Sequence, residues 1–96
     1  MAKSIRRNWL RQAELIKAIA HPERLAILNL LCMTREDALT VKTIYEKLGL
    51  QQPVASRHLN ILKNAGVVNR MRQGQYVCYC VCNEKMGVKA LLGCFM

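Results

Sequence analysis

The most informative shortage in this 96-residue sequence is that of acidic residues. It has six Asp and Glu against fifteen Lys and Arg, for a formal net charge of +9. The shortage is local, because residues 1–12 and 50–75 contain no acid and hold four basic residues each. Positive charge concentrated in this way is typical of a nucleic-acid binder, with a membrane surface or an acidic protein as competing partners.

Long apolar runs are also missing. No segment approaches the ~18–20 apolar residues of a membrane span, and residues 1–12 lack the apolar centre and cleavage site of a secretory signal. We therefore expect a cytoplasmic protein that does not associate with membranes. The length, without repeats or linkers, predicts a single domain over residues 1–96. A hydrophobic fraction of 52% is high for this size, which suggests that some apolar surface is buried in a partner.

The sequence contains none of the common catalytic motifs. There is no Gly-rich phosphate loop, zinc-protease motif or Cys-x-x-Cys pair, and the two His and six acids show no paired spacing. We therefore expect no enzymatic activity and no bound cofactor. The five Cys are odd in number, so they cannot all pair internally, and reduced thiols are the expectation for a cytoplasmic chain.

The segment 52–66 has the features of a complete amphipathic helix. Pro53 suits a first turn and Gly66 suits the position just past a helix end. Ala55, Leu59 and Leu62 form an apolar stripe at i, i+4 and i+7. The opposite face carries only potential donors and no acid, namely Ser56, Arg57, Asn60, Lys63 and Asn64. Such a face suits phosphates and base edges, although a merely solvated helix face would look the same.

Three further helices are predicted before this segment. Residues 5–20 form an apolar stripe of Trp9, Ala13, Ile16 and Ala20. A second helix starts at His21-Pro22-Glu23, and a third begins after the capping residue Thr40 and ends at Gly49. Because only two residues separate Gly49 from Gln52, the third and fourth helices have the spacing of a helix-turn-helix. The fourth helix would then enter the DNA major groove.

Beyond Gly66 the pattern becomes β-like. Residues 67–72 and 75–82 are β-prone runs around a predicted Gln73-Gly74 turn, with Arg70, Arg72, Gln73 and Gln75 near the tip. A last helix from Asn83 would carry an apolar stripe of Val88, Leu91, Leu92 and Phe95. The predicted fold is mainly α with a small β-hairpin, a winged helix-turn-helix in the order α-α-α-α-β-β-α. Apolar terminal helices suggest a dimer interface, or packing on their own core.

Three segments resemble the ArsR/SmtB-type bacterial repressors: residues 15–28, residues 51–66 and the strand 74–79. The resemblance implies a homodimer, joined through its first and last helices, that binds a palindromic double-stranded operator. It also implies operator contacts at Gln52, Ser56, Arg57 and His58. The full set of predicted DNA-binding residues is Gln51, Gln52, Ser56, Arg57, His58, Asn60, Lys63, Arg70, Arg72, Gln73 and Gln75. A winged helix that binds only proteins is the alternative.

The sequence departs from the resemblance where metal sensors of that family bind their ions. Thr40 and Lys42 replace the Cys-x-Cys pair of the third helix, and residues 83–96 contain one acid and no His. We therefore expect no metal at the usual sites. Redox-sensing members are similar in pairing a second-helix Cys with a last-helix Cys, which implies Cys32 and Cys94 as a thiol sensor. The strand residues Cys78, Cys80 and Cys82 are alternative thiols, and incidental buried cysteines are a further alternative.

Overall fold

The computed structural model describes residues 3–81, with side-chain surroundings from residue 9 onward. The elements are α1 (Lys3–Ile19), α2 (Pro22–Met33), β1 (Leu39–Thr40), α3 (Val41–Leu48), α4 (Gln52–Asn64), β2 (Val68–Gln73) and β3 (Tyr76–Val81). This order confirms the predicted winged helix-turn-helix. The predicted last helix, with Val88, Leu91, Leu92 and Phe95, lies outside the described residues. Within residues 3–81, no helix is both long and apolar enough to cross a membrane.

Helix boundaries follow the capping residues predicted from the sequence. The Nδ1 atom of His21 accepts a hydrogen bond from the N–H of Glu23 at 3.1 Å, which starts α2. The hydroxyl of Thr40 accepts one from the N–H of Thr43 at 3.2 Å, which starts α3. Gly49 ends α3 with a φ of 67°, a left-handed conformation that costs glycine little. These caps fix where α3 stops and therefore how closely α4 follows it.

The β-sheet contains a strand that the sequence did not predict. Its order is β1-β3-β2, with both pairings antiparallel, so β3 is central. The short strand β1 pairs Leu39 with Tyr79 and Thr40 with Cys78. Two residues are too few to show the alternating pattern of a strand. Thr40 is also the N-cap of α3, so the sequence there predicts the start of a helix rather than a strand. Through β1, the wing is attached to the start of the helix-turn-helix as well as to α4.

The hairpin turn lies one residue later than predicted. Gln73 pairs with Tyr76, so the loop residues are Gly74 and Gln75, and the predicted Gln73-Gly74 turn is wrong by one position. Gly74 has a φ of 63° at the first loop position, which is the requirement of a type II′ turn. The structure places Gln73 on the strand and Gln75 in the loop.

The core is formed by α2, α3, α4 and the adjoining sheet. Its largest fully buried side chains are Ile27, Leu28, Ile44, Leu59, Leu62, Val67 and Val68. Burial of each large aliphatic side chain contributes about 1.5–3 kcal/mol. Ala55, Leu59 and Leu62 are all fully buried, which confirms the predicted stripe of α4. Because this stripe faces the core, the opposite face of α4 must face solvent.

Candidate nucleic-acid interface

The outer face of α4 presents a row of exposed hydrogen-bond donors. Ser56, Arg57, Asn60 and Lys63 are exposed along it, and Gln51 and Gln52 are exposed where the helix begins. No side chain caps the amino end of α4, and no acid lies in its first turn. The positive end of the helix dipole therefore adds to the side-chain donors, and both favour an anionic partner.

The wing extends this surface. Arg70, Arg72, Gln73 and Gln75 are all exposed. Lys63 of α4 and the two arginines line one cleft of about 400 Å³, together with Met71 and Val77. The lining contains three cations and no acid. Like charges gathered in a concave surface raise the local positive potential, which favours binding of a phosphate.

His58 does not belong to this outer surface, and its prediction as a DNA contact is corrected. The residue is only 6% exposed. The Nε atom of Arg24 donates to its Nδ1 at 3.1 Å, and Oε1 of Glu23 lies 3.6 Å from its Nε2. The physical reason is helical spacing, because position 58 is i+3 from Ala55 and falls on the buried stripe. That spacing was present in the sequence, but the resemblance outweighed it.

The surroundings of His58 favour the neutral form of its ring. Burial lowers the pKa of His58, as do the nearby His21 and Arg24, whereas the hydrogen bond and charge of Glu23 oppose this. An arginine N–H can only donate, so Nδ1 of His58 must be the accepting nitrogen and Nε2 carries the proton. The ring of His21 lies 4.6 Å from that of His58, centroid to centroid.

The same cluster has the residue types of a metal site. The ligand atoms of His21, Glu23 and His58 lie within 4.8 Å of one another. However, both histidines accept an N–H at Nδ1, from the Glu23 backbone and from Arg24 respectively. Metal-bound histidines instead donate from their second ring nitrogen. The hydrogen bonding therefore favours a structural role for this cluster, which joins α2 to α4.

The cysteines are distributed between surface and interior. Cys32 is exposed at the end of α2, and Cys80 is half-buried in β3. Both line a cavity of about 350 Å³. Cys78 is buried, and its thiol donates to Oε1 of Gln73 at 3.6 Å. Cys94, the partner of Cys32 implied by the resemblance, lies outside the described residues.

The first helix presents an uncovered apolar face. Among the residues described, Trp9 is 68% exposed, Leu10 60% and Ile16 47%, and Ala13 is exposed beside them. Ala18 and Ile19, at the end of the same helix, are buried in the core. The carboxyl end of α1 is therefore anchored, and residues 9–16 present large hydrophobic side chains to solvent, which is typical of an interaction surface.

The buried state of His58 predicts a pH-dependent stability. Its folded-state pKa is lowered, so neutral His58 contributes fully above the unfolded pKa of about 6.5. That contribution is lost as the pH falls toward the folded pKa, because the unfolded chain takes up the proton first. Urea unfolding at pH 7.5 and 5.5 should therefore show a loss of stability on acidification that is smaller in His58→Asn. The control His21→Asn keeps a capping side chain, so its stability should fall on acidification nearly as much as that of wild type. Equal losses in wild type and His58→Asn would contradict this account.

Comparison with known proteins agrees with this geometry. The family described as "Bacterial regulatory protein, arsR family" matches residues 21–70, which run from the start of α2 into the wing. An uncharacterized HTH-type transcriptional regulator of Methanocaldococcus jannaschii is 37% identical over 79 residues, covering 82% of this chain and 86% of that protein.

Two solved structures are similar over most of the chain. The crystal structure of the transcriptional repressor PagR of Bacillus anthracis has a TM-score of 0.79 and 35% identity, covering 93% of this chain and 97% of PagR. The homodimeric winged helix-turn-helix DNA-binding domain of a possible ArsR-family regulator from Mycobacterium bovis has a TM-score of 0.84 and 27% identity, covering 99% of this chain and 83% of that one. This chain belongs to the arsR family of bacterial regulatory proteins.

Proposed function

We propose that this protein is a homodimeric transcriptional repressor that binds a specific double-stranded DNA operator in the cytoplasm. One observation carries the proposal: the helix after the helix-turn-helix turn buries its apolar stripe and presents an acid-free row of donors to solvent. The names of two similar structures, a repressor and a homodimeric DNA-binding domain, support it. Since the family consists of regulatory proteins, the activity is binding rather than catalysis.

The exposed donors divide into three roles. Ser56, Arg57 and Asn60 lie in the first half and the middle of α4, where a recognition helix contacts base edges in the major groove. Gln51 and Gln52 lie at its amino end, where backbone N–H groups meet phosphates. Lys63, Arg70 and Arg72 line the cationic cleft and neutralise backbone phosphates, which gives affinity without sequence preference. Gln73 and Gln75, at the wing tip, extend the contact to the adjacent groove.

A dimer explains the apolar face of α1. Two copies joined by a two-fold axis through this face bury Trp9 and Ile16 and hold two α4 helices at a fixed spacing. Such a dimer reads half-sites about one DNA turn apart, near 34 Å, so its operator is palindromic. The last helix, with Val88, Leu91, Leu92 and Phe95, is proposed as the second part of this interface. The whole of residues 1–96 is proposed as one domain.

The rival proposal is a winged helix that binds another protein. DNA binding and protein binding differ in their dependence on salt. Neutralised phosphates release counterions, so the logarithm of DNA affinity falls steeply and linearly with the logarithm of salt concentration. Three cations in one cleft and the absence of any acid between residues 50 and 75 favour DNA.

Release from DNA is proposed to depend on thiol chemistry. Cys32 is accessible to solvent and shares a cavity with Cys80, so an oxidant can reach that part of the protein. Its partner in a disulfide is then Cys94, as the resemblance implies, or a strand thiol such as Cys80. Disulfide formation releases two thiol protons and two electrons from the pair, and hydrogen peroxide accepts both to give two water molecules.

Removing the central donors of α4 should abolish specific binding. The test uses a duplex selected in vitro from a random pool. The double variant Ser56→Ala/Arg57→Ala should lose about 2–6 kcal/mol of binding free energy for this duplex, because each lost base contact costs about 1–3 kcal/mol. Arg70→Ala should weaken all duplexes equally and reduce the salt slope by about one. Arg35→Ala, which removes a charge outside this surface, serves as the control. Unchanged affinity of the double variant for the selected duplex would refute the assignment.

A charge placed on the apolar face of α1 should separate the protomers. Ile16 is 47% exposed, so Ile16→Glu leaves the monomer folded but puts a carboxylate into the proposed interface. Sedimentation should show a dimer at micromolar concentration for wild type and a dissociation constant raised about tenfold or more for Ile16→Glu. Met33→Glu, at a residue 74% exposed on α2, is the matched control and should remain dimeric. A monomeric wild type at that concentration would contradict the dimer.

Oxidation should release the DNA through Cys32. Treatment with hydrogen peroxide should weaken operator binding of wild type about tenfold or more and leave Cys32→Ser unaffected. Loss of the response in Cys94→Ser or in Cys80→Ser then identifies the partner thiol. Cys78→Ala, at a buried position on the same strand as Cys80, should respond like wild type. A wild type that binds equally before and after oxidation, with thiol loss verified by mass spectrometry, would exclude thiol sensing.

A further inference from the structure

One arginine side chain connects three helices. Arg24 lies in the first turn of α2. Its Nη1 atom donates to the carbonyl oxygen of Ala18 in α1 at 3.1 Å, and its Nε atom donates to Nδ1 of His58 in α4 at 3.1 Å. The two partners are 40 residues apart in sequence, since they lie 6 and 34 residues from Arg24. Burial of apolar side chains does not by itself require these two hydrogen bonds.

Both partners of Arg24 are anchored. Ala18 is 8% exposed and lies in the last turn of α1, where carbonyl oxygens receive no N–H donor from within the helix. His58 is 6% exposed, and Glu23 lies beside its other nitrogen at 3.6 Å. A guanidinium is planar, so its two donors have a fixed relative geometry. The angle between the end of α1 and the middle of α4 is therefore fixed by one rigid group.

Hydrogen bonds constrain α4 differently from its apolar stripe. Hydrophobic contacts have little directionality, so the stripe tolerates small rotations of the helix. The bond from Arg24 to His58 is directional, because hydrogen bonds weaken steeply away from linearity. His58 directly follows Ser56 and Arg57 in the chain, so a rotation at His58 moves those two side chains with it.

We propose that Arg24 is a positioning residue for DNA recognition, which fixes the rotation of α4 through His58 relative to α1. This inference rests on the proposed DNA-binding function. Base contacts require donor and acceptor atoms within about 2.7–3.2 Å, and a small rotation of α4 breaks them. Phosphate contacts depend on charge and act over about 8–10 Å at moderate salt, so they survive the same rotation. Loss of Arg24 therefore removes specificity and leaves non-specific binding intact.

The decisive variant removes both members of the Arg24–His58 hydrogen bond together. A single His58→Leu leaves the arginine donor unpaired, which destabilises the fold for reasons unrelated to recognition. Replacing both side chains, in Arg24→Met with His58→Leu, leaves an apolar pair and restores part of the stability lost in the single variant. The carbonyl of Ala18 still loses its donor. Full-length dimers of wild type and double variant are compared by thermal unfolding, and by affinity for the in vitro selected duplex and for a scrambled duplex of the same length.

The double variant is expected to lose affinity for the selected duplex but not for the scrambled duplex. The double variant should bind the scrambled duplex within twofold of wild type and the selected duplex at least tenfold more weakly. Two conservative variants extend the test. His58→Asn offers an amide oxygen near the Nδ1 position and should keep most of the specificity. Arg24→Lys should lose it, because an ammonium group lacks the planar pair of donors that a guanidinium provides. An unchanged ratio of selected to scrambled affinity in the double variant overturns the proposal.

Two further outcomes are also decisive. If the double variant does not fold, Arg24→Lys is compared with wild type, and an unchanged affinity ratio there overturns the proposal. If wild type itself does not distinguish the selected duplex from the scrambled one, the DNA-binding function has failed. A failure of the positioning role alone is distinct, because wild type and the Ser56/Arg57 double variant then still differ in specificity.

Discussion

Burial of one stripe of α4 is the constraint on which the rest of the structure depends. Ala55, Leu59 and Leu62 are fully buried, and a large rotation of the helix would expose them. Exposing two leucines would cost about 3–6 kcal/mol, which is a large part of the stability of a domain this small. The core therefore determines which side chains reach solvent, and those are the donors of the proposed DNA surface. In this protein, the packing of the interior therefore sets the orientation of the functional face.

The charge distribution of the chain explains why the exposed face of α4 favours a negatively charged partner. Residues 13–49 contain as many acids as bases, whereas 50–75 contain bases only. The few polar atoms that enter the interior are paired: within residues 9–81 no buried side-chain N or O lacks a hydrogen-bond partner. One of these contacts is the hydrogen bond from Arg24 to the buried His58. Removing either side chain alone would leave the other unpaired, at a cost of about 1–3 kcal/mol.

Much of the fold could be predicted because its local signals agree. Pro53, Thr40 and Gly49 mark helix ends by backbone chemistry that acts within a few residues, and each marks the boundary found in the structure. Strand β1 could not be predicted, since two residues carry no periodic signal and their pairing with Tyr79 and Cys78 is long-range. The turn register was missed by one residue because Gly74 fits either loop position by composition. Only the pairing of Gln73 with Tyr76 decides between them.

The exposed row of donors on α4 could be predicted from the sequence, whereas the burial of His58 disagrees with its prediction as a DNA contact. Exposed donors on one helix face follow from periodicity, so Ser56, Arg57, Asn60 and Lys63 could be identified from spacing alone. His58 was included because of a resemblance, although its spacing from Ala55 and Leu62 placed it on the buried stripe. Its partner, Arg24, could not be identified, since a contact across 34 residues leaves no trace in local sequence. The most direct test of the central claim is amide chemical-shift mapping of the protein titrated with its selected duplex. The largest shifts are expected on the amino half of α4 and on the wing from Arg70 to Gln75. Shifts confined to α1, with α4 unaffected, would contradict it.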